Sequence, residues 1–478
     1  MRSKVILFTT LAGVGLFAVT GCHGISTPGE KQARHDLSAV TGQYRPVNQR
    51  PALPKLTPGS SLSNFLAYAL LNSPAVEAAF DDWSASVENI TVTRSLPDPQ
   101  LTFQAYIQDT LTSFMPGLFQ GIPGPGKLKA RARVAAAESQ GKYFAFESAA
   151  LQAAFNLKRA YYRLGLLEEQ LRIKRETLAL LENQERVVRA QNESGAAALP
   201  DMLRVQSECD RERTDLANLE DSLRTLLENF KAALGLTPQQ TDPPVPAHFE
   251  VSRENPDAEE LLRLAFEHNP QLAAMAADVR AAEAGIAVAY KERVPDFNAG
   301  LSADVYAPPF YWPQAGMTLP IWRDKLAAEV AQAKANELAA KSRLKARQID
   351  LAVSFAEKSF AYRETSRNLA LIEDELIPRA RQSLETVRAG YRVGAMDFSA
   401  LTDAERTLLD LQLEAAEART DRELVLAELS IVVAGLPPAD APLLLNIPLD
   451  KPGSSGRKSV PSPRNASQSR LTSAATLN

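Results

Sequence analysis

Leu101-Thr-Phe-Gln-Ala-Tyr-Ile-Gln108 alternates apolar and polar side chains along its whole length. Successive side chains of a β-strand point to opposite faces, so this pattern predicts a strand with one apolar and one polar face. The apolar set is Leu101, Phe103, Ala105 and Ile107, and the polar set is Thr102, Gln104, Tyr106 and Gln108. Residues 297–306 alternate in the same way. We therefore predict two amphipathic hairpins, whose second strands run at about 112–122 and 310–321.

The same order of residues occurs twice at a nearly constant offset. Pro74 is matched by Pro270, which is 196 residues later, and Gly235 is matched by Gly435, which is 200 residues later. The intermediate matches are Pro97 with Pro295, Ile122 with Leu319, Lys127 with Lys325 and Gly195 with Gly394. A long and steady period predicts an internal two-fold repeat, in which one structural unit is built twice.

Each unit is predicted to contain a helix, a strand pair, a very long helix and another helix. In the first unit, 61–235, these are 61–94, 97–122, 127–193 and 200–234. In the second unit, 257–436, they are 257–293, 295–321, 325–391 and 399–434, after a linker at 236–256. Apolar residues at three- and four-residue steps indicate helices that pack as coiled coils. Each long helix could extend roughly 100 Å, which favours a tall wall over a compact globule.

The N-terminus has the pattern of a bacterial lipoprotein. Residues 1–21 combine Arg2 and Lys4 with a short apolar stretch, which is typical of a signal peptide. Cys22 follows directly and resembles the lipidated first residue of a mature lipoprotein. We expect residues 22–60 to form an extended, lipidated arm, and residues 437–478 to form a tail that is disordered from about 451.

Strands of about ten residues with apolar-out, polar-in alternation suit an outer-membrane barrel. Four strands cannot close a barrel, and an open sheet edge cannot lie in hydrocarbon, so other copies of the chain must close it. Three copies would supply twelve strands. The alternative is that both hairpins rest on a soluble core.

Composition and motifs exclude several other classes. The formal net charge of −4 gives no support to nucleic-acid binding. The four histidines are scattered along the chain, so no metal site is predicted. Cys209 is expected to pack in a helix. Residues 121–127 fit part of a phosphate-binding loop, but Leu128 replaces the required Ser or Thr, and Pro123 and Pro125 remove amide donors. No cofactor is expected, and no catalytic nucleophile or base is evident.

Four stretches, taken in order, resemble the TolC family of outer-membrane efflux channels: 96–101, 120–128, 194–201 and 391–403. The resemblance implies an α+β membrane protein and a homotrimer with a 12-stranded outer-membrane β-barrel. A long α-helical periplasmic barrel would continue it. It also implies contact with outer-membrane lipid and docking to a periplasmic adaptor protein. The inner-membrane efflux pump would be of the RND type, and the channel itself would perform no chemistry.

The resemblance also assigns roles to residues at the helix tips. Asp201 and Tyr391 match an aspartate and a tyrosine that link the tips and close the periplasmic gate, and Asp403 matches an acidic residue of the aperture. Other family positions differ, since Met396, Pro200 and Ala400 replace the residues of a second link and a second acidic ring. Adaptor contact is expected at Gly195, Ala196, Gly394 and Ala395.

The exported substrate is a separate question. The turn at 122–128 and the strand entrance at 97–99 resemble the branch of the family that works with heavy-metal cation pumps. The sequence therefore favours metal cations over drugs or other small organic molecules. The competing function is a lipid-anchored periplasmic coiled-coil scaffold or adaptor that forms no pore.

Overall fold

The computed structural model describes residues 26–45, 51–107, 111–195, 198–251, 258–304 and 310–433. The helices are α1 (Pro28–Tyr44), α2 (Leu62–Asn72), α3 (Pro74–Arg94), α4 (Lys127–Glu193), α5 (Leu199–Ala233), α6 (Ala258–His268), α7 (Pro270–Lys291), α8 (Arg323–Ala370), α9 (Ile377–Arg392) and α10 (Phe398–Val432). The strands are β1 (Gln100–Ile107), β2 (Leu111–Ile122), β3 (Phe297–Asp304) and β4 (Phe310–Met317). The signal peptide, Cys22, Gln108, Ala196 and the tail from 437 lie outside the described residues.

Two helices that the sequence predicts as continuous are each divided by a proline. The predicted helix 61–94 is α2 and α3, and the predicted helix 257–293 includes α6 and α7. Pro74 and Pro270 begin new helices because their rings prevent the preceding residue from remaining helical. The Asn269 side chain then caps α7 by accepting hydrogen bonds from two backbone N–H groups at 3.0 and 3.1 Å.

The second long helix is interrupted where the sequence predicts continuity over 325–391. A π-helical turn, Leu371–Leu376, separates α8 from α9, and Pro378 lies in the first turn of α9. Proline has no N–H to donate to the preceding turn, and a π-turn widens the helix locally at such a defect. By contrast, α4 is one helix of 67 residues, about 100 Å in length.

The N-terminal arm contains a helix that the prediction of an extended arm missed. Thr27 caps α1 through its hydroxyl, which accepts a hydrogen bond from Glu30 N at 3.2 Å, and Pro28 occupies the first turn. Ser/Thr followed three residues later by Glu is a recognised N-terminal helix signal. Thr27-Pro-Gly-Glu30 carries it, so the sequence contained the information.

The helices and strands share one lateral order. The sheet is antiparallel, in the order β1-β2-β3-β4. Beneath it, α4 packs against α3 on one side and α7 on the other, and α7 packs against α8. The chain connects α3 to β1, β2 to α4, α7 to β3 and β4 to α8, so the helices lie side by side in the same order as the strands to which they are joined. Farther along, α4 packs against α5 and α10, and α10 packs against α8 and α9.

The largest core cluster fixes α1, α3 and α4 together. Trp83 is 2% exposed, and its ring lies 4.9 Å from Tyr143 and 6.0 Å from Phe146. Tyr44 of α1 packs edge-on against Phe146 at 5.6 Å. Buried aromatic side chains of this size contribute strongly to stability, and truncating one to alanine typically costs about 3–5 kcal/mol. The N-terminal helix is therefore an integral part of the fold.

Candidate functional site

The four-stranded sheet has one apolar face that none of the described residues covers. Residues paired across strands share a face, and the register aligns Leu101 with Leu118, Leu118 with Leu301, and Leu301 with Pro313. By the same register the face comprises Leu101, Phe103, Ala105, Phe114, Pro116, Leu118, Gln120, Ile122, Phe297, Ala299, Leu301, Ala303, Tyr311, Pro313, Ala315 and Met317. Leu101 is 63% exposed and Met317 is 58% exposed. A patch of this size indicates an apolar environment or a partner.

The opposite face is polar for much of its length. Asp304 accepts a hydrogen bond from the Ser113 hydroxyl at 2.7 Å, which ties β3 to β2 on that face. Thr102, Asn298 and Ser302 lie on the same face by register. The sheet thus has the two-sided character that the alternation predicted. Among the described strands, β1 and β4 are the edges, each with a single neighbour.

The strand-to-helix turn that resembles a phosphate-binding loop is a tightly packed junction. A Cβ added at Gly124 would lie 2.4 Å from the carbonyl oxygen of Pro295, and Gly126 has a left-handed φ of 84°. The Gly124 N–H donates to the Asp296 carboxylate at 2.7 Å. The glycines therefore serve close backbone approach between β2–α4 and α7–β3.

Lys127 is the ionic centre of this junction. Its side chain is 3% exposed, and its Nζ donates to Glu292 at 3.0 Å and to Asp296 at 2.9 Å. Burial lowers the pKa of Lys127, but these two carboxylates outweigh burial and raise it above the ordinary value. Burial raises the pKa of Glu292, whereas hydrogen bonds from Lys127 and Arg131 give a net lowering. Lys127 and Glu292 each therefore favour the charged form of the other.

A second buried ionic group holds α1 against α3. Glu30 is 1% exposed and accepts hydrogen bonds from Arg94 Nε at 2.5 Å and from the Thr91 hydroxyl at 2.7 Å. Burial alone would raise the pKa of Glu30, but the bonds from Arg94, Thr91 and Arg34 lower it to about 2. The sequence reasoning did not single out Glu30, although the capping signal at Thr27 could have located it.

The first helix tip lies between α4 and α5. Gly195 has a φ of 74° and ends the helix, and its N–H donates to Asn192 O at 2.9 Å. Asp201 is exposed in the first turn of α5, where a carboxylate interacts favourably with the helix dipole. Below the tip, Cys209 is fully buried with Leu181 and Val205, so its expected packing role agrees with its surroundings.

The second tip joins α9 to α10. Gly394 has a φ of 73°, and the N–H of Ala395 closes the turn onto Gly390 O at 2.8 Å. Tyr391 is 41% exposed, with its ring 6.0 Å from that of Phe398. Asp403 is exposed on α10. Both glycines predicted at the tips thus occupy turns that require a positive φ.

Within one chain, the predicted gate residues are not bonded to one another. Among the described residues, no hydrogen bond or ion pair joins the side chains of Asp201, Tyr391 and Asp403. The two hairpins are instead connected below the tips, where Arg406 of α10 donates to Glu208 of α5 at 2.9 Å. A link between Asp201 and Tyr391 remains a prediction.

Two further features concern the described part of the chain. None of its helices is both long and apolar enough to cross a bilayer. No three of its His, Cys, Asp and Glu side chains are grouped as ligands for a metal ion.

Comparison with known proteins identifies relatives of this architecture. The sequence model of the family described as "Outer membrane efflux protein" matches residues 66–236 and 261–434. The chain is 25% identical over 295 residues to the pyoverdine export outer membrane protein OpmQ of Pseudomonas putida. That match covers 59% of this chain and 62% of the relative, which is less than two thirds of its length.

Solved structures share the fold at low sequence identity. The structure of CusC has a TM-score of 0.66 at 16% identity and covers 81% of this chain and 98% of its own. The open state of the Neisseria gonorrhoeae MtrE channel has a TM-score of 0.66 at 16% identity, with 81% and 94% covered. VceC of Vibrio cholerae has a TM-score of 0.62 at 14% identity, with 78% and 96% covered.

Proposed function

Because the chain belongs to the outer membrane efflux protein family, we propose that it is the outer-membrane channel of a tripartite efflux system. Proteins of this family are channels and not enzymes. The observation that carries the proposal is the exposed apolar face of a four-stranded sheet, continuous with helices of up to about 100 Å. Such a face suits lipid, and such helices can span the periplasm below it.

The proposed channel is a homotrimer with a 12-stranded barrel. Four strands leave β1 and β4 as open edges, and joining β4 of one copy to β1 of the next removes both. The same contact brings α8 of one copy beside α3 of the next, because strands and helices share one lateral order. The helical barrel, the twofold repeat and its boundaries at 61–235 and 257–436 belong to this proposal. The two segments matched by the family model support the repeat.

An uncovered apolar line along α8 and the first residue of the π-helical turn that follows it supports side-by-side assembly. Leu338, Ile349, Phe360 and Leu371 recur every 11 residues and are 64%, 58%, 54% and 47% exposed. An 11-residue period corresponds to about 3.67 residues per turn, which keeps these side chains on one side of a helix. In a trimer, the neighbouring copy would cover this line. Exposed apolar side chains repeated with helical periodicity would otherwise face water.

The lipid anchor, the gate and the partners are proposed from the sequence resemblance to the family. Cleavage after residue 21 and lipidation of Cys22 would hold the arm 22–60 at the membrane surface. The helix tips, with Gly195, Ala196, Gly394 and Ala395, would meet a periplasmic adaptor, and an RND-type pump would supply the substrate. Asp201 and Tyr391 would link neighbouring tips, and three copies of Asp403 would attract cations at the aperture.

For the substrate, we propose metal cations, as the resemblance of residues 97–99 and 122–128 suggests. In the structure that turn serves the junction around Lys127, so its side chains give no information about the transported species. Small organic solutes are the second candidate, since the relative OpmQ is named for pyoverdine export. Comparing metal-salt sensitivity with siderophore secretion in a deletion strain, with and without the wild-type gene, decides between them.

The decisive test of the channel itself is assembly and conductance. The protein extracted from outer membranes in mild detergent is expected to run as an SDS-resistant trimer and to form cation-permeable channels in planar bilayers. A monomer that remains in the aqueous phase after replacement of Cys22 would instead support the scaffold alternative. A trimer without conductance at any voltage would contradict the channel function.

A further inference from the structure

Two exposed cations lie at the start of α4 without a partner. Lys129 and Arg133 are exposed, and the described residues offer neither of them an ion pair or hydrogen bond. Their neighbours Lys127 and Arg131 are different, because both bind Glu292 across the junction. Like charges four residues apart on a helix repel each other, so Lys129 and Arg133 together favour an anion between or beside them.

These cations share a helix face with the docking site of α1. Arg133 lies four residues after Lys129, and Ala136 lies three residues after Arg133, so the three positions are on one side of α4. A Cβ added at Gly29 would stand only 3.1 Å from the Cβ of Ala136, which shows how closely the start of α1 approaches that face. The chain segment before α1 therefore starts beside the cations.

That segment leads to the proposed lipid anchor. Cys22 precedes Thr27 by five residues, which span at most roughly 17 Å when extended. Because Glu30 is bonded to Arg94 and Thr91, the beginning of α1 is fixed near the base of the sheet, and a lipid attached to Cys22 would enter the membrane there. The acyl chains and the two cations then lie at similar depth relative to the bilayer.

The apolar face of the sheet ends at the same level. Ile122, at the end of β2, is 42% exposed, and Lys129 lies two helical residues beyond the first residue of α4. In the connection between β4 and α8, Trp322 is 72% exposed and is followed by the exposed Arg323, the first residue of α8. Exposed aromatic and basic side chains directly below an apolar band are characteristic of the headgroup region of a membrane.

We propose that Lys129 and Arg133 bind the phosphate of an anionic phospholipid in the leaflet that receives the lipid anchor. Arginine can donate two parallel hydrogen bonds to a phosphate, and lysine adds a compact charge beside it. This inference rests on the proposed membrane location of the sheet. Each cation near an anionic membrane surface strengthens binding by about fivefold. Lys129 and Arg133 together are therefore expected to strengthen binding of an anionic lipid by about 5- to 30-fold.

The test uses the full chain, purified in detergent and titrated with fluorescent phosphatidylglycerol or phosphatidylcholine. The wild type is expected to prefer phosphatidylglycerol, and the double variant Lys129→Gln/Arg133→Gln is expected to lose about 5- to 30-fold of that preference. The control is Arg159→Gln/Arg163→Gln, which removes two exposed cations at the same spacing on α4. Arg159 and Arg163 lie 30 residues farther along α4 than Lys129 and Arg133, at a distance of about 45 Å from them. This control is expected to keep the preference.

Three outcomes would overturn the inference. One is equal binding of both lipids by the wild type, and the second is an unchanged preference in the Lys129/Arg133 variant. The third is competition by millimolar inorganic phosphate as strong as that by lipid, which would indicate a soluble anion as the ligand. Conductance in pure phosphatidylcholine bilayers is measured in parallel. If it persists while the lipid preference is absent, only this inference fails, whereas loss of insertion in every lipid would contradict the proposed function.

Discussion

The Lys127 ammonium group lies 2.9 Å from the carboxylate of Asp296, so the first residue of α4 is bonded to the residue that precedes β3. Those two positions are 169 residues apart in the chain. The bond joins the helix below one strand pair to the strand entrance of the other. Lys325, the matching residue of the second half, is different: its side chain is 69% exposed and has Glu329 at 3.6 Å.

Replacing Lys127 with Gln is expected to destabilise the protein by about 1–3 kcal/mol, because Glu292 and Asp296 lose a buried cationic partner. Lys325→Gln is the matched control and is expected to cost less than about 0.5 kcal/mol, since its ion pair is exposed. Thermal unfolding in detergent at one fixed scan rate measures both. Equal unfolding midpoints for the two variants would show that Lys127 does not stabilise the junction.

Gly124→Ala is expected to be among the most damaging single-methyl additions. The new Cβ would lie 2.4 Å from the backbone oxygen of Pro295, which can move only if β3 moves. The expected cost is about 1–3 kcal/mol or more. Gly285→Ala provides the control, because a Cβ there has no atom within 4 Å and alanine favours the helix by about 0.5–1 kcal/mol. The two substitutions should therefore shift the unfolding midpoint in opposite directions.

The docking of α1 should weaken in acid. The pKa of Glu30 is about 2 in the folded protein against an ordinary value of 4.5. A lowered carboxyl pKa contributes stability that is fully present above pH 4.5 and is lost as the pH falls to about 2. At pH 7, Glu30→Gln should cost about 2–4 kcal/mol, and the difference from wild type should shrink below pH 4.5.

Hydrogen exchange of residues 28–44 follows this docking directly. Glu88→Gln is the control for Glu30→Gln, since Glu88 binds Arg34 at the surface and is 60% exposed. It should cost less than about 1 kcal/mol at any pH. Protection of α1 that does not change between pH 6 and pH 2.5 would show that Glu30 does not hold the helix.

Phe360→Asp should prevent trimer formation while leaving the single chain folded. Phe360 is 54% exposed in one chain and lies on the 11-residue apolar line of α8, so a charge there affects only a contact between copies. Phe360→Leu keeps an apolar side chain and should still assemble. The mass of the detergent-solubilised particle, measured by light scattering, distinguishes the two. A stable Phe360→Asp trimer would show that α8 does not form the contact.

Tyr391→Phe and Asp201→Ala should each increase the conductance of the trimer in planar bilayers, because either change removes one partner of the proposed link. Tyr391 is 41% exposed and Asp201 is exposed, so neither change should affect folding of the chain. Tyr311→Phe, on the apolar face of β4, is the control and should leave the conductance unchanged. If all three variants conduct like the wild type, the link does not close the gate.

Prediction from the sequence was strongest where the pattern was local and periodic. The alternation at 101–108 identified a strand with two unlike faces, and the cross-strand register of Leu101 with Leu118 agrees with it. Prediction was weaker at interruptions. Pro74 and Pro270 were recognised as matching residues but not as helix starts, although proline in a first turn gives that signal.

Long-range contacts could not be derived from the pattern. Nothing near Lys127 in the sequence indicates that Asp296 is its partner. Lys325, the matching lysine of the second half, remains at the surface. The Gly-Pro-Gly turn resembled a phosphate-binding loop because both use glycine for close backbone approach, but the approaching atom is the carbonyl oxygen of Pro295. The approaching group depends on the packing of α4 against α7, which the local sequence does not contain.

The sequence by itself determined the order of strand pairs and long helices in the two halves, since helical and strand periodicities depend on residues a few positions apart, but it did not predict α1, the divisions at Pro74 and Pro270 or the π-helical turn. It also determined that one chain has too few strands to close a barrel. The tertiary structure decided which charged residues stabilise contacts between segments. Lys127 and Glu30 are buried and paired, whereas Lys325, Lys129 and Arg133 are exposed. Burial and charge pairing arise from contacts between segments that are up to about two hundred residues apart, so the folded chain was needed to identify them.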